Sequence, residues 1–254
     1  MGAAADSVPR KLFDAVLLDL DGVLTATASI HAACWKRMFD TYLQRRAAQS
    51  RESYEPFDLA RDYGRYVDGK LRYDGVRAFL ESRGVHLPEG TTEDGPDQET
   101  IAGLGNRKDV MVKEMIAAGH VGTYEASIAW VRQLRRHGFK TAVVSASRNT
   151  PAVLRAAGID DLFEAKVDGN VAAREGLPGK PAPDTFLYAA KLLDVPPHRA
   201  VVVEDAIAGV QAGRAGGFGL VIGVARHVDR ADLEQGGADL VVADLEELLE
   251  DGDQ

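Results

Sequence analysis

Short apolar runs alternate with stretches of helical periodicity along most of the chain. The apolar runs end in polar or glycine-containing turns, and they are Ala15–Leu18, Thr141–Val144, Ala200–Val203, Gly219–Val224 and Leu240–Val242. Apolar residues recur at helical spacing between them, in Ser127–His137, Pro151–Ala157, Asp184–Leu193 and Ala206–Ala215. Continuously apolar strands that alternate with helices are typical of a mostly parallel sheet covered on both faces. The pattern therefore predicts an α/β core.

The segment from Ser29 to Gly119 has a different pattern. It lacks β-branched runs, and its helical periodicity covers His31–Arg45, Asp74–Arg83 and Arg107–Ala118, with a polar loop at Leu87–Pro96. Because this segment directly follows the first strand, we expect a helical insertion over 29–119 within a discontinuous core domain of 1–28 and 120–254. Such an insert sits over the carboxyl end of that strand, the edge at which open α/β sheets bind ligands. The acidic end of the chain, Glu246–Gln254, is expected to form a helical turn and a frayed terminus.

The composition and net charge of the chain argue against some classes of binding partner. The chain has 254 residues, with 39 Asp plus Glu against 30 Lys plus Arg and a formal net charge of -9. Such an acidic chain has no general attraction for nucleic acid or anionic membranes, and we expect neither as a partner. The single cysteine, Cys34, excludes an intramolecular disulfide. We see no secretory signal and no apolar run near the ~18 residues that span a bilayer, so we expect a cytoplasmic protein, and we expect it to be a monomer.

Two aspartates close the first strand. Asp19 and Asp21 are two residues apart, so their side chains point to the same side of the sheet edge, and Gly22 allows a sharp turn. Two carboxylates so close are costly unless a cation, a shared proton or a phosphoryl group compensates them. The alternative is a strand-end turn whose aspartates face water.

A second acidic pair, Glu204 and Asp205, follows a later strand. Asp205 could alternatively cap the helix that follows. Two acidic pairs at strand ends of one sheet favour a hard-cation site, and oxygen ligands without a cysteine or histidine cluster favour Mg²⁺ over Zn²⁺. We therefore expect one Mg²⁺ ion that screens the four acids, Asp19, Asp21, Glu204 and Asp205, and polarises a phosphoryl oxygen.

Two further segments could bind a phosphate. The loop from Ser145 to Asn149 contains hydroxyl and amide groups between a strand and a helix, which is a common phosphate-binding arrangement. Lys180 precedes a helix that Asp184 could cap, and two neighbouring prolines stiffen its approach. The alternatives are an ordinary helix N-cap for the loop and a solvated side chain for the lysine.

These four motifs, in this order, resemble those of the haloacid dehalogenase superfamily of phosphotransferases. Further details are similar to its β-phosphoglucomutase family: Thr27, His31 and Trp35 after the first motif, Ser-Ala-Ser-Arg-Asn at 145–149, and Gly-Lys-Pro-Ala-Pro-Asp at 179–184. The resemblance implies a Rossmann-like core and a small helical cap.

The resemblance also implies roles for the core residues. Asp19 would be the nucleophile that accepts a phosphoryl group and a metal ligand, and Asp21 would be the general acid and base. The main-chain carbonyl of Asp21, with Glu204 and Asp205, would complete the metal shell. Ser145 and Lys180 would neutralise the transferring phosphoryl oxygens. The second phosphate of a sugar bisphosphate would be bound by Ala146, Ser147, Arg148 and Asn149.

The cap residues follow from the same resemblance. Arg72, assisted by Lys70, would bind the distal phosphate, although Asp68 stands where the family usually has lysine. Lys108 would reach the active site, or lie on a solvated face. Thr27 and His31 would assist Asp21. Trp35 shares a helix face with His31. On sequence alone, both residue types pack in a core more often than they contact a ligand. From the resemblance, we nevertheless assign Trp35 to substrate binding.

The implied activity is a Mg²⁺-dependent phosphomutase that interconverts β-D-glucose 1-phosphate and D-glucose 6-phosphate. It would use an aspartyl-phosphate enzyme, with β-glucose 1,6-bisphosphate as intermediate and activator. The alternative is a sugar-phosphate phosphatase that uses the same aspartate. A phosphonate hydrolase is less favoured because no cap lysine stands out, and a sensor without turnover is least favoured because every core catalytic position is present.

Overall fold

A computed structural model describes residues 8–50 and 53–249 of the chain. The chain divides into two compact units, one formed by Met1–Ala26 with Val121–Gln254 and the other by Thr27–His120. A helix with the length and apolar character needed to span a membrane is not found in the part of the chain that the structure describes.

The first unit contains a sheet of six parallel strands. Their bounds are β1 Ala15–Leu18, β2 Lys140–Val144, β3 Ala165–Val167, β4 Ala200–Glu204, β5 Leu220–Val224 and β6 Leu240–Val242. The strand order is β3-β2-β1-β4-β5-β6, so β1 lies inside the sheet and pairs in parallel with β2 and β4. Because the carboxyl ends of parallel strands meet at one edge, the residues that follow β1, β2 and β4 lie close together. The predicted mostly parallel α/β sheet is confirmed.

Nine α-helices lie in the described residues. They are α1 Ala28–Ser50, α2 Arg72–Ser82, α3 Ile101–Ala117, α4 Glu125–Arg136, α5 Thr150–Ala157, α6 Gly169–Glu175, α7 Asp184–Leu192, α8 Ile207–Ala215 and α9 Arg230–Gly236. The first three belong to the second unit and the others to the first. On one face of the sheet, Leu17 and Val202 belong to a buried core cluster with Phe186 of α7 and Phe218. The apolar strands are therefore buried because helices cover them.

Several local predictions differ from the structure. Strand β3 and helix α6 were not expected, and α1 and α3 extend further toward the N-terminus than their periodicity indicated. Helix α7 has Pro183 as its N-cap and α8 has Ala206, neither with a side-chain capping hydrogen bond among the described contacts. The N-cap residues of these two helices are therefore Pro183 and Ala206 rather than Asp184 and Asp205. The predicted terminal turn is present at Leu245–Leu248, and residues 250–254 of the predicted frayed end lie outside the described residues.

The second unit is helical around an aromatic core. Phe39 of α1 lies 4.2 Å from Phe79 of α2 and 5.2 Å from Phe57, measured between ring centroids. These phenylalanines are completely buried. Helix α3 begins at Ile101 because the side chain of Thr100 accepts a hydrogen bond from the amide of Gly103 at 2.9 Å. The aromatic packing gives this unit a hydrophobic core of its own.

Candidate active site

The chain turns sharply after β1, and this turn places both aspartates at the sheet edge. Asp19 is buried, and its amide donates to the carbonyl of Val203 at 3.0 Å, which extends the pairing with β4. Gly22 has a φ of +91°, and a Cβ atom at this position would lie 1.8 Å from Oδ2 of Asp205. Only glycine fits there without displacing the Asp205 carboxylate. The turn therefore brings the first acidic motif against the second.

Lys180 is a buried cation at the centre of this edge. Its Nζ donates to Oδ1 of Asp19 at 2.5 Å and to the carbonyl of Val144 at 3.0 Å, and it forms an ion pair with Glu204. Burial alone would lower the pKa of Lys180, but the carboxylates of Asp19 and Glu204 outweigh burial and raise the pKa above its ordinary value. Lys180 therefore carries its charge at neutral pH, and its burial excludes the solvated lysine considered above.

Three buried carboxylates form a cluster suited to a metal ion. Asp19, Glu204 and Asp205 each offer an oxygen atom, and these atoms lie within 4.8 Å of one another. Burial raises the pKa of Asp19 and raises that of Glu204 to about 8, with the Lys180 ammonium opposing both effects. A divalent cation would offset the cost of these buried charges, and three hard oxygen donors fit Mg²⁺. The side chain of Asp21 is not part of this cluster, and its main-chain carbonyl remains the predicted fourth ligand.

The loop after β2 lies beside the aspartates. The Ser145 hydroxyl donates to Oδ2 of Asp21 at 3.3 Å and accepts a hydrogen bond from the amide of Ser147 at 3.1 Å. The Ser147 hydroxyl accepts from the amide of Asn149 at 3.2 Å, and Asn149 is the N-cap residue of α5. Ser145 therefore connects the second predicted motif to the first, and the rest of the loop leads directly into a helix N-terminus, where an anion is favoured.

A neighbouring segment supports this loop and was missed by the sequence analysis. The amide of Gly169 donates to the carbonyl of Ser147 at 3.2 Å, and the side-chain amide of Asn170 donates to the carbonyl of Arg148 at 2.9 Å. The buried Asp168 caps α6 by accepting from the amides of Asn170 and Val171. The Asp-Gly-Asn sequence is a helix-start signal that could have revealed the cap, but nothing local indicates its contact with the loop after β2.

In the second unit, the half-buried His31 pairs with the buried Lys108. Nζ of Lys108 lies 2.6 Å from Nδ1 of His31 and 4.8 Å from the centre of the Trp35 ring. Burial, and then the Lys108 ammonium, hold the pKa of His31 well below its ordinary value. His31 is therefore neutral, and its Nδ1 accepts a hydrogen bond from Lys108. The amide of His31 donates to the carbonyl of the buried Thr27 at 3.0 Å.

Trp35 and Lys108 are both buried rather than solvated. Trp35 is 3% exposed and stacks on Phe39 with 5.3 Å between ring centroids. Lys108 is 6% exposed, so the solvated face considered for it is wrong. Trp35 is thus a core residue that also faces a cation, which is compatible with both roles considered for it.

Arg72 and Lys70 have different environments in the same unit. Nη2 of Arg72 lies 3.1 Å from Oδ1 of Asp109, with both side chains 12% exposed. Nζ of Lys70 instead donates to the carbonyl of Arg65 at 3.0 Å, and burial lowers the pKa of Lys70. Asp68 ends the π-helical turn Tyr63–Val67. Of the two predicted cap cations, Lys70 is directed at the main chain and Arg72 at polar side chains.

The structure brings the predicted residues together in two groups. The first unit gathers Asp19, Asp21, Ser145, Lys180, Glu204 and Asp205, followed by Ala146, Ser147, Arg148 and Asn149 in the adjoining loop. The second unit contains Thr27, His31 and Trp35 along the start of α1, with Lys108 of α3 against His31 and Trp35, and Arg72 with Lys70 near the start of α2. The first group unites a buried cation, a carboxylate cluster and hydroxyl donors, which are the groups that phosphoryl transfer requires.

The chain is similar to known proteins in sequence and in fold. A family model described as haloacid dehalogenase-like hydrolase matches residues 13–217. The chain is 48% identical to the β-phosphoglucomutase of Mycobacterium tuberculosis (strain CDC 1551 / Oshkosh) over 245 residues, which covers 95% of this chain and 93% of that protein. It is 30% identical to the β-phosphoglucomutase of Bacillus subtilis over 92% of this chain and 91% of that one. The crystal structure of β-phosphoglucomutase from Clostridium difficile has the same fold, with a TM-score of 0.72, 24% identity and 93% of each chain covered.

Proposed function

The chain belongs to the haloacid dehalogenase-like hydrolase family and, within it, to the β-phosphoglucomutase family, and from this membership we propose that it interconverts β-D-glucose 1-phosphate and D-glucose 6-phosphate. The observation that carries the proposal is the 48% identity to a β-phosphoglucomutase, because it extends over 95% of the chain and includes both units. Phosphatases could share the carboxylates of the first unit, but a mutase must also bind the phosphate that is not transferred.

The first half-reaction consumes a phosphorylated Asp19. The O6 hydroxyl of β-glucose 1-phosphate attacks the phosphorus, the bond from phosphorus to Asp19 breaks, and Asp21 accepts the proton of the hydroxyl. This step yields β-glucose 1,6-bisphosphate and a free Asp19 carboxylate. The hydrogen bond between Ser145 and Asp21 supports this assignment, since it orients the Asp21 carboxylate as a base.

The second half-reaction restores the phosphorylated enzyme. Asp19 attacks the phosphorus at O1 of the bisphosphate, the bond from phosphorus to O1 breaks, and Asp21 returns its proton to O1. The products are glucose 6-phosphate and phosphorylated Asp19. Added glucose 1,6-bisphosphate would act as an activator because it phosphorylates Asp19 at the start of turnover.

Positive charge and hydrogen-bond donors carry most of the catalysis of phosphoryl transfer. Lys180 is fixed by Val144 and Asp19, so its ammonium can stabilise the transferring phosphoryl group without reorganisation. When a phosphoryl group is bound, the Ser145 hydroxyl would donate to it instead of to Asp21. A Mg²⁺ ion bound by Asp19, Glu204, Asp205 and the main-chain carbonyl of Asp21 would neutralise charge on the phosphoryl oxygens.

The remaining predicted residues are proposed to recognise the sugar phosphate. Ser147, Arg148 and Asn149, with the main chain of Ala146, would bind the phosphate that is not transferred in one half-reaction. Arg72 would bind it from the second unit, with Lys70 in a supporting position. Thr27 and His31 would assist Asp21, and Lys108 and Trp35 would complete the substrate contacts.

A two-product assay tests the proposal. The chain is incubated with β-glucose 1-phosphate, Mg²⁺ and a trace of glucose 1,6-bisphosphate, while glucose 6-phosphate and inorganic phosphate are measured together. We expect glucose 6-phosphate from the β anomer with little inorganic phosphate, and no product from the α anomer. Inorganic phosphate without isomerisation would instead identify a sugar-phosphate phosphatase and overturn the mutase.

A further inference from the structure

A network of polar side chains surrounds the guanidinium of Arg72 in the second unit. Nη1 of Arg72 donates to Oδ1 of Asn106 at 3.2 Å, and the hydroxyl of Tyr73 donates to the same oxygen at 2.9 Å. Nη2 of Arg72 lies 3.1 Å from Oδ1 of Asp109, whose Oδ2 lies 2.9 Å from Nζ of Lys113. The guanidinium is therefore held through both of its terminal nitrogens, by a neutral amide and by a carboxylate.

Asn106 is itself fixed by the main chain of the preceding loop. Its Nδ2 donates to the carbonyl of Asp94 at 2.8 Å and to that of Thr92 at 3.2 Å. With both donors satisfied by carbonyl groups, the amide oxygen must face Arg72 and Tyr73. The orientation of the acceptor that Arg72 uses is therefore set by the loop rather than by solvent.

Tyr73 can pack against the backbone of α3 because Gly105 has no side chain. A Cβ atom at Gly105 would lie 2.7 Å from Cδ1 of Tyr73, so the ring lies directly against the helix backbone. This close approach brings the Tyr73 hydroxyl within reach of Asn106, one residue further along α3. Neither Tyr73, Gly105 nor Asn106 carries a chemical signal that marks it in the sequence.

We propose that Asn106, supported by Tyr73 and Asp109, is a positioning residue that orients Arg72 before substrate binds, an inference that rests on the proposed role of Arg72 in binding a sugar phosphate. An arginine side chain loses much rotational freedom when it binds an anion. Where the guanidinium is already ordered by folding, that loss no longer opposes substrate binding. Because Lys70 donates to the main chain, Arg72 is the predicted phosphate-binding cation on which this arrangement acts.

Steady-state kinetics on the full chain test the positioning role. Asn106→Ala should raise KM for β-glucose 1-phosphate about tenfold with kcat changed less than about twofold, because a hydrogen bond to a charged group is lost. Arg107→Ala is the matched control, since Nε of Arg107 donates to the carbonyl of Pro96 at 2.7 Å and tethers the same loop without contacting Arg72 in any described hydrogen bond. This control should keep the KM of the unmodified chain.

A double variant separates the positioning of Arg72 by Asn106 from a general effect of the Asn106 substitution on folding. In an Arg72→Ala chain, the added Asn106→Ala change should leave KM unaltered, because its only route to the substrate is lost. A further rise in KM in that background, or an equal rise in the Arg107→Ala control, would overturn the proposal. Tyr73→Phe should raise KM by a smaller factor, about threefold, since it removes one donor from the shared acceptor.

Nitrogen-15 NMR of the arginine side chains makes the test independent of turnover. Signals of Arg72, assigned by their loss in Arg72→Lys, should show hindered rotation of the guanidinium in the unmodified chain and faster rotation in Asn106→Ala, where the ion pair with Asp109 remains. Free rotation in the unmodified chain would overturn the positioning role even if the chain is a mutase. Hindered rotation that Asn106→Ala releases would support it even if β-glucose 1-phosphate is not converted, in which case the proposed function alone fails.

Discussion

The ammonium of Lys180 lies 2.5 Å from Oδ1 of Asp19, with the two side chains 2% and 9% exposed. Lys180 also pairs with Glu204, so one buried cation compensates two buried carboxylates. Removing the cation would leave these carboxylates without compensation in a site from which water is largely excluded. The contact therefore serves both the stability of the sheet edge and the chemistry proposed for it.

Lys180→Met should abolish turnover and lower the free energy of unfolding by about 3 kcal/mol in Mg²⁺-free buffer, because the buried carboxylates lose their partner. Urea unfolding and the two-product assay measure the two effects. Lys166→Met is the matched control, since Lys166 pairs with Asp160 at an exposed position, and it should cost less than about 1 kcal/mol. An active Lys180→Met chain would remove Lys180 from the mechanism.

Gly22→Ala should lower both stability and activity. The new methyl group would collide with Oδ2 of Asp205, and the φ of +91° is itself unfavourable for alanine. Gly84→Ala is the control, because Gly84 has a φ of +65° but no described atom within 4 Å of a Cβ atom. We expect a loss of about 1 kcal/mol of stability in Gly84→Ala with kcat unchanged, and loss of kcat only in Gly22→Ala. Equal kcat values in the two variants would contradict the close approach.

Mg²⁺ should stabilise the folded chain against unfolding. A ligand that binds only the folded state adds about 2.7 kcal/mol to the free energy of unfolding at one hundred times its Kd. The increase should appear in urea unfolding with and without Mg²⁺, and it should be lost in Asp205→Asn, which removes one carboxylate of the cluster. The same Mg²⁺-dependent gain in Asp205→Asn as in the unmodified chain would place the ion elsewhere.

The stability of the chain should depend on the protonation of His31. Burial and the Lys108 ammonium hold its pKa below the ordinary value of 6.5, so below that pH the unfolded chain binds a proton that the folded chain does not. Stability therefore falls as the pH decreases below 6.5, by up to about 1.4 kcal/mol per pH unit for one proton. Urea unfolding at pH 6.5 and 5.5 should show a smaller decrease in His31→Gln. An identical decrease in both chains would mean that His31 is protonated in the folded state.

The sheet and the acidic cluster follow from local sequence patterns. Apolar runs such as Ala200–Val203 are long enough to identify buried strands, and acids directly after them must lie at the carboxyl edge of a parallel sheet. Strand β3 was not predicted because the polar Lys166 interrupts its three residues. Unlike the equally short but wholly apolar β6, β3 contains no apolar run to detect, and it is specified by its pairing with β2.

Other parts of the site depend on tertiary contacts. Asn106 and Asn170 are ordinary polar residues in the sequence, and their contacts with Arg72 and Arg148 arise only when distant segments fold together. The burial of Lys108 could not be predicted either, because a charged residue on a helix is usually solvated. Its burial depends on the contact with His31, which joins α1 to α3. Residues that orient other residues carry little local signal, whereas residues that perform chemistry stand in recognisable motifs.

The fate of a labelled phosphoryl group tests the central claim most directly. The chain is mixed with glucose 1,6-bisphosphate carrying phosphorus-32, quenched in acid and digested, and Asp19→Asn serves as the control. We predict label on the peptide containing Asp19, its transfer to sugar phosphate when unlabelled β-glucose 1-phosphate is added, and no label on Asp19→Asn. Label that passes to inorganic phosphate instead of the sugar, or that persists on Asp19→Asn, would contradict a mutase that works through Asp19.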